Sequence, residues 1–201
     1  WKPKSVVHLD FSNNKFSSTV PSMLLSHSSQ LTNLFLSGNT LQGTLPSEIG
    51  KASNLRILAL DNNRLEGTLP AELTQLQQLE ELLLEQNRFT NHLPTDIGRM
   101  TSLAKLNLNH NSFTGDFPWQ EFGNREDCTL THLNLGFNSF VGSIPWDVLS
   151  NSTLVGWTCL QELTLKSSGF TAETLPDTAF GNWVNTLKYL DLSDTLLRGT
   201  I

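Results

Sequence analysis

An asparagine recurs along this chain at a nearly constant interval. It is the ninth residue of one phrase, L-x-x-L-x-L-x-x-N-x-L-x-G-x-L-P, whose successive copies begin 24 to 30 residues apart. The asparagines are Asn14, Asn39, Asn63, Asn87, Asn111 and Asn138, and Ser168 and Thr195 take the same place in two further copies. A period of this size indicates one supersecondary unit stacked on copies of itself, so the chain is predicted to form a solenoid.

We call each copy of the repeat a rung and number its residues from the first apolar residue of the phrase, which is position one. The chain then contains eight rungs. They start at Val6, Leu31, Leu55, Leu79, Leu103, Leu130, Leu160 and Leu187. Positions four and six are apolar whereas positions three, five and seven vary, and this alternation predicts a strand. We therefore predict a single solenoid over residues 1–201 whose last rung is truncated. An uncovered end also predicts that the chain is part of a longer polypeptide or is covered by another one.

Two columns of the repeat are predicted to be structural. A primary carboxamide has two donors and an acceptor, so each asparagine can satisfy backbone groups at the turn of its own rung and of a neighbour. Position eleven is Phe in four consecutive rungs, Phe89, Phe113, Phe140 and Phe170, which predicts a stacked aromatic column inside the coil.

The phrase in Leu31–Leu45 with Pro46, and again in Leu55–Pro70, resembles the plant-specific leucine-rich repeat. The resemblance covers nearly the whole chain. It implies an α/β solenoid: a right-handed leucine-rich-repeat superhelix of about eight rungs, with a parallel concave β-sheet and a short 3-10 or irregular convex side. A short second sheet near the Gly-x-I-P segment is implied too. Ectodomains of receptor-like kinases and receptor-like proteins belong to this family, as do polygalacturonase-inhibiting proteins.

Composition and motifs argue against several functional classes. The formal net charge is −6 and the basic residues are scattered, so no nucleic-acid partner is expected. The sequence contains no run of 18 apolar residues, so no membrane span is predicted. Motifs for a nucleophile, a phosphate loop or a metal site are missing. Of the five histidines, only His8 and His132 share a rung position, and they are five rungs apart. We expect no enzyme activity, catalytic residue, cofactor or metal.

The outward positions of the sheet are the first candidate partner-binding surface. Phe35, Ile57, Ala59 and Leu83 would form an apolar strip on the second to fourth rungs, and contiguous apolar patches mark contact sites. Five charged residues are expected to border this strip, namely Asp61, Glu81, Glu85, Arg64 and Arg88. A mixed-charge border suits a protein or peptide partner. Ordinary surface variation is the competing interpretation.

The outer side of the last rungs is the second candidate surface, because four tryptophans occur there: Trp119, Trp146, Trp157 and Trp183. Tryptophan is enriched in binding hot spots, although anchoring the insertions of the longer rungs is the favoured alternative. Asn151 begins the sequon Asn-Ser-Thr and is the glycosylation candidate. Cys128 and Cys159 precede the opening leucines of neighbouring rungs; a disulfide is conceivable, but buried thiols are the preferred interpretation.

The leading functional prediction is a non-enzymatic module that binds a protein or peptide through its concave face. The resemblance implies a fragment of a receptor-like ectodomain, extracellular or membrane-tethered. A structural or assembly subunit, docking in a larger complex through its tryptophan side and open ends, is the alternative. An inhibitor of a secreted hydrolase is a more distant one.

Overall fold

A computed structural model describes residues 5–27, 29–149, 151, 153–172 and 185–198 of the chain. The predictions that concern Trp183 and the chain end at Ile201 lie outside the described residues. Within the described rungs, the structure is the predicted leucine-rich-repeat solenoid, with two sheets and a side of short helices.

An eight-stranded parallel sheet forms the predicted concave side, with one strand from each rung. Every strand covers positions three to five, and neighbours pair position for position, for example Ile57 with Glu81 and Ala59 with Leu83. In chain order the strands are His8–Asp10, Asn33–Phe35, Ile57–Ala59, Glu81–Leu83, Lys105–Asn107, His132–Asn134, Glu162–Thr164 and Tyr189–Asp191. Equal positions therefore form continuous rows across the rungs.

The asparagine column ties each of the second to sixth rungs to the rung before it. Asn63 Nδ2 donates to the carbonyl oxygens of Leu36 and Leu60 at 3.0 Å each, and its Oδ1 accepts from the N–H of Leu41 at 3.0 Å. Asn39, Asn87, Asn111 and Asn138 repeat this pattern.

The substituted and terminal members of the column bind only within their own rungs. Asn14 is exposed and donates to the carbonyl oxygens of Phe11 and Ser12. Ser168 Oγ donates to Leu165 O, and Thr195 Oγ1 donates to Leu192 O at 2.7 Å. The shorter side chains of Ser168 and Thr195 thus keep the local bond of asparagine. Within the described residues, neither of them bonds to the preceding rung.

The chain turns off the concave strand through a left-handed residue at position eight of every rung. The φ angles there are between 48° and 65°, and only one of the eight residues, Gly38, is a glycine. The others are Asn13, Asn62, Gln86, His110, Phe137, Ser167 and Asp194. Because most L-residues avoid this region, the surrounding structure must hold the tight turn.

A second parallel sheet follows the asparagine turn, as the resemblance implies. Its six strands are Ser17–Ser18, Thr40–Gly43, Arg64–Gly67, Arg88–Asn91, Ser112–Gly115 and Ser139–Phe140. Thr171–Ala172 and Leu196–Leu197 form a further parallel pair. Short helices then occupy the convex side. They are the α-helices Ser22–His27, Trp119–Gly123 and Trp146–Leu149 and the 3-10 helices Ser47–Lys51, Ala71–Gln75, Thr95–Arg99 and Val155–Trp157.

The core between these layers consists of leucines from each rung and the aromatic column at position eleven. Phe89, Phe113, Phe140 and Phe170 are buried, with ring centroids 6.0, 6.1 and 5.7 Å apart and interplanar angles of 8° to 13°. The rings therefore stack nearly parallel instead of edge to face, because the rung translation repeats each ring orientation.

The two cysteines form a disulfide, so the preferred interpretation of two free thiols is wrong. Cys128 and Cys159 have Cα atoms 5.7 Å apart, within the range that a disulfide spans. Both stand just before the opening leucine of adjacent rungs, and stacking of the rungs brings them together. The bond joins the insertion of the fifth rung to that of the sixth.

Candidate functional site

Two outward rows of the concave sheet, at positions five and seven, lie next to each other on the second, third and fourth rungs. Position five places Phe35, Ala59 and Leu83 side by side. The row at position seven continues the register beyond the strands, because Gly38 N donates to Asp61 O at 3.0 Å and Asn62 N to Glu85 O at 2.9 Å. One patch of the sheet thus joins an apolar row to a row of carboxylates.

Ala59 is not an exposed member of the apolar strip, contrary to the prediction. It is only 2% exposed, whereas Phe35, Ile57 and Leu83 are partly exposed. The small methyl group lies below the level of the larger side chains on both sides of it. The Phe35 ring also contacts His8 on the first rung, with ring centroids 5.2 Å apart. The surface offered to solvent is therefore Phe35, Ile57 and Leu83.

Hydrogen bonds hold the carboxylates at position seven in place. Asp61 accepts from Ser37 Oγ at 2.5 Å and from Asn62 Nδ2 at 2.8 Å. Glu85 accepts from Asn107 Nδ2 on the next rung. These donors are neutral, so the bonds fix the position of the carboxylates without forming an ion pair.

Position three adds a third carboxylate to the patch. Glu81 lies between Ile57 and Lys105 in register. Glu80, one residue earlier, pairs with Arg56 at 2.9 Å, but both side chains are about half exposed and such pairs contribute little to stability.

Arg64 and Arg88 do not border the concave strip. Both are exposed and begin strands of the second sheet, Arg64–Gly67 and Arg88–Asn91. Position ten follows the asparagine turn, where the chain has already left the concave strand. The two arginines line a shallow cleft of the second sheet with Gln42 and Glu66.

A backbone motif that the sequence analysis missed distinguishes the rungs of the concave sheet. In four rungs an Asp or Asn at position five accepts a hydrogen bond from the N–H of position seven, at 2.9 to 3.2 Å. The pairs are Asp10 with Ser12, Asn107 with Asn109, Asn134 with Gly136 and Asp191 with Ser193. An Asp or Asn two residues before a turn is a signal for this local bond.

The same motif lowers the pKa of two carboxyl groups. The backbone N–H of Ser12, followed by its side chain, lowers the pKa of Asp10 below its ordinary value. The hydroxyl and then the N–H of Ser193 do the same for the pKa of Asp191. Each donor stabilises the charged form of the carboxyl group it binds.

The fifth to seventh rungs carry a polar cleft on the same sheet. It is lined by polar side chains of positions three and five, namely Lys105, Asn107, His132, Asn134, Glu162 and Thr164. His132 Nε2 and Glu162 Oε1 are 3.6 Å apart. The concave face is thus apolar and acidic in its N-terminal half and polar with mixed charge beyond the fourth rung.

Three tryptophans of the outer side, Trp119, Trp146 and Trp157, are buried, which contradicts a docking surface built from them. Trp119 and Trp146 are 7% and 6% exposed and Trp157 is fully buried. The Trp157 indole N–H donates to Trp119 O at 3.1 Å, and the two ring systems are 5.8 Å apart. These side chains anchor the insertions of the longer rungs, as the favoured alternative has it. Trp183 lies outside the described residues.

A buried arginine in the fifth rung was also missed. Arg125 donates from Nε to Gly98 O at 2.9 Å and from Nη1 to Leu103 O at 3.1 Å, and its guanidinium lies 4.5 Å from the centroid of the Phe122 ring. Burial lowers the pKa of Arg125 to about 10, so the group stays charged at neutral pH. Its bond to Gly98 reaches across to the previous rung and its bond to Leu103 lies within its own rung, which is a structural role.

Other kinds of site find little support in the described part of the chain. No group of three His, Cys, Asp or Glu side chains there is arranged to hold a metal ion. None of the helices in the described ranges has the length and apolarity to cross a membrane. Asn151 is exposed, and its Oδ1 accepts from the N–H and the hydroxyl of Thr153 at 2.9 and 2.8 Å.

Comparison with known proteins gives one family. Models of the leucine rich repeat match residues 50–114 and residues 5–26, 30–52 and 129–151. The sequence has no significant match among curated proteins.

Solved structures of plant receptors are similar to the chain in fold and, more weakly, in sequence. PEPR1–AtPEP1 is 35% identical with a TM-score of 0.86 over 98% of this chain and 26% of that one. The plant peptide hormone receptor RGFR1 in complex with RGF2 is 27% identical with a TM-score of 0.86, over 96% and 29%. The ectodomain of GASSHO1/SCHENGEN3 from Arabidopsis thaliana, in complex with CASPARIAN STRIP INTEGRITY FACTOR 2, is 26% identical with a TM-score of 0.62, over 98% and 31%.

The chain thus spans about a quarter to a third of the length of these receptor chains. Repeat period, sheet register, family models and structural neighbours agree with one another. The chain belongs to the leucine-rich-repeat family and is of the plant type.

Proposed function

We propose that this chain is a non-enzymatic recognition segment of an extracellular receptor-like ectodomain and that it binds a peptide through its concave face. The observation that carries the proposal is the patch of the second to fourth rungs, where Phe35, Ile57 and Leu83 lie beside Asp61 and Glu85. An apolar centre with a charged border is the usual composition of a recognition surface.

The similar receptors support a peptide as the partner. PEPR1 is described with AtPEP1, and RGFR1 is a peptide hormone receptor described with RGF2. The acidic border of the patch, Asp61, Glu81 and Glu85, favours a peptide that places a basic group beside its apolar side chains.

Two further observations support an extracellular location. Cys128 and Cys159 form a disulfide, and disulfides persist mainly in oxidising compartments. Asn151 of the sequon is exposed, as a glycosylated asparagine must be. The alternative of an assembly subunit that docks through its tryptophans has little support, because Trp119, Trp146 and Trp157 are buried.

The test is selection of linear peptides from a random displayed library on the wild-type chain, followed by affinity measurement on variants. Glu81→Lys with Glu85→Lys, alone and combined with Leu83→Ala, reverses charge and removes apolar surface at the concave patch. We expect these variants to lose binding of the selected peptides by about tenfold or more.

The matched control reverses two exposed carboxylates on the convex side, Glu126→Lys with Asp147→Lys. It changes the net charge by the same amount and should leave affinity within about twofold, since such charges are remote and screened. Equal binding by the wild-type chain and the concave variants would refute recognition through the concave patch.

A further inference from the structure

The N–H groups at position seven are left out of the hydrogen-bond ladder of the concave sheet. Leu60 N and Asn62 N donate forward to the fourth rung, to Leu83 O and Glu85 O at 2.9 Å each. Successive N–H groups of a strand point to opposite sides, so Asp61 N–H points back to the second rung. The carbonyl there, Leu36 O, already accepts from Asn63 Nδ2 at 3.0 Å. The asparagine column thus occupies the oxygen that Asp61 N–H faces.

Four rungs supply the missing acceptor from their own position five, through the Asp and Asn oxygens described above. In Asp10 and Asp191 the oxygen lies 2.9 Å from the N–H of the residue two places on. These pairs show where an acceptor sits when it binds this donor: above the outward face of the sheet, at the place of the position-five side chain.

Three adjacent rungs have no such acceptor. Position five is Phe35, Ala59 and Leu83 in the second, third and fourth rungs, and hydrocarbon side chains cannot accept a hydrogen bond. The corresponding N–H groups are those of Ser37, Asp61 and Glu85, for which the described residues provide no partner. The run of open donors therefore coincides with the apolar patch.

The charges around these donors restrict what can bind them. Asp61, Glu81 and Glu85 carry carboxylates at the same patch, so a ligand carboxylate or phosphate would be repelled. A neutral oxygen is not repelled. A main-chain carbonyl is neutral and strongly accepting, and the side chains that flank it in a peptide can cover Phe35 and Leu83.

We propose that a peptide ligand docks on the second to fourth rungs through its main chain, with its carbonyl oxygens accepting, one oxygen to each donor, from the open N–H groups of Ser37, Asp61 and Glu85 in the place that Asp or Asn oxygens take elsewhere. The proposal rests on the proposed function and adds the chemical group of the peptide that the concave sheet recognises, which is the main-chain carbonyl. Recognition at this place depends on the peptide backbone, whereas side-chain specificity comes from the apolar strip and the carboxylates.

The test compares two substitutions of one residue. Leu83→Ala removes the apolar side chain and leaves Glu85 N–H open. Leu83→Asn removes the same apolar side chain and provides the oxygen that Asn107 provides on the next rung. The probes are linear peptides selected from a random library on the wild-type chain. We expect Leu83→Asn to bind them about tenfold more weakly than Leu83→Ala, because its side chain occupies the donor.

A chemical change in the peptide tests the same bond from the other side. Replacing peptide bonds by thioamides one at a time weakens one carbonyl acceptor in each probe. At one position the replacement should reduce affinity for Leu83→Ala and have little effect on Leu83→Asn, which is the coupling of a double-mutant cycle. Absence of coupling at every position would overturn the proposal.

Thr164→Asn is the matched control, because Lys166 N–H on the seventh rung has no acceptor in the described residues either but lies outside the patch. It should leave affinity unchanged. Phe35→Ala and Phe35→Asn repeat the comparison at Ser37 N–H if a Leu83 variant fails to fold, as judged by thermal unfolding.

The outcomes separate the two proposals. If the selected peptides are insensitive to charge reversal at Glu81 and Glu85, recognition by the concave patch fails and this inference fails with it. If they are sensitive to charge reversal but bind Leu83→Asn and Leu83→Ala equally well, only the main-chain docking is overturned.

Discussion

The side-chain amide of Asn63 donates to the carbonyl oxygen of Leu36, 3.0 Å away and one rung earlier in the chain. This single contact links the stability of the solenoid to its recognition surface. Together with the amide of Asn39, which donates to the same oxygen at 3.0 Å, it occupies the acceptor that the second rung would otherwise offer to Asp61 N–H, and so leaves that donor available on the concave face. The residue that is most constrained by the fold thereby determines which backbone groups are open to a ligand.

Loss of a buried member of the asparagine column should be costly. Asn63→Ala leaves the N–H of Leu41 without its partner inside the coil. It also removes one donor from the carbonyls of Leu36 and Leu60, which keep the side-chain amides of Asn39 and Asn87. We expect the free energy of unfolding to fall by about 2–3 kcal/mol, since a buried unsatisfied group costs roughly 1–3 kcal/mol and the lost amide bonds add to it. Urea unfolding of Asn63→Ala measures the loss.

The control for this prediction is Asn14→Ala. Asn14 is exposed and bonds only within its own rung, so its replacement should change the free energy of unfolding by less than about 1 kcal/mol. Similar losses for the two variants would show that links between rungs add little to stability.

Periodicity made the regular part of this molecule predictable. Positions four, six, nine and eleven repeat, so the register of the concave sheet and the stacking of Phe89 on Phe113 follow from the spacing of residues alone. Features that depend on departures from the period were predicted poorly. Ala59 is buried because its neighbours are larger, and Arg64 leaves the concave face because the chain turns at position eight.

The longer rungs were the least predictable part. Burial of Trp119 and Trp157 and the bond between Cys128 and Cys159 depend on how two insertions fold against each other, and an insertion has no repeat to set its conformation. The open N–H groups of the concave sheet needed the structure as well. The absence of Asp or Asn at position five can be read from the sequence, but its meaning appears only when the Asp10–Ser12 bond is seen.

The aromatic column should tolerate leucine far better than alanine. Phe113 stacks between Phe89 and Phe140 and is fully buried, whereas the second and third rungs carry Leu41 and Leu65 at the same position. Phe113→Ala is expected to cost about 3–5 kcal/mol through lost burial and a cavity. Phe113→Leu should cost less than about half of that. Chemical denaturation of both variants tests this, and equal losses would show that the site requires an aromatic ring.

The disulfide should stabilise the C-terminal rungs. Cys128 and Cys159 are 31 residues apart in sequence, and the bond restricts the unfolded chain over that length. Cys128→Ser with Cys159→Ser is expected to reduce the free energy of unfolding by about 2–4 kcal/mol. Thermal unfolding with and without reductant makes the comparison. Reductant should lower the melting temperature of the wild-type chain. It should leave that of the double variant unchanged, because the variant has no bond to lose.

Acid sensitivity should depend on the two carboxyl groups that accept from position seven. Donors of Ser12 and Ser193 lower the pKa of Asp10 and of Asp191 in the folded chain. A group with a lowered folded pKa stabilises the fold above its unfolded pKa, which is about 3.9 for Asp, and loses that contribution as pH falls through its folded pKa. Stability should therefore decline below about pH 4 partly through these groups.

Asp10→Asn with Asp191→Asn keeps an acceptor at each place but removes the titration. The double variant should lose less stability than the wild-type chain between neutral pH and about pH 3, when thermal unfolding is measured at both. The control is Asp147→Asn, which replaces an exposed carboxylate of the convex side. Its stability should decline over the same pH range as that of the wild-type chain. A double variant with the full acid sensitivity of the wild-type chain would mean that these two bonds do not stabilise the folded state.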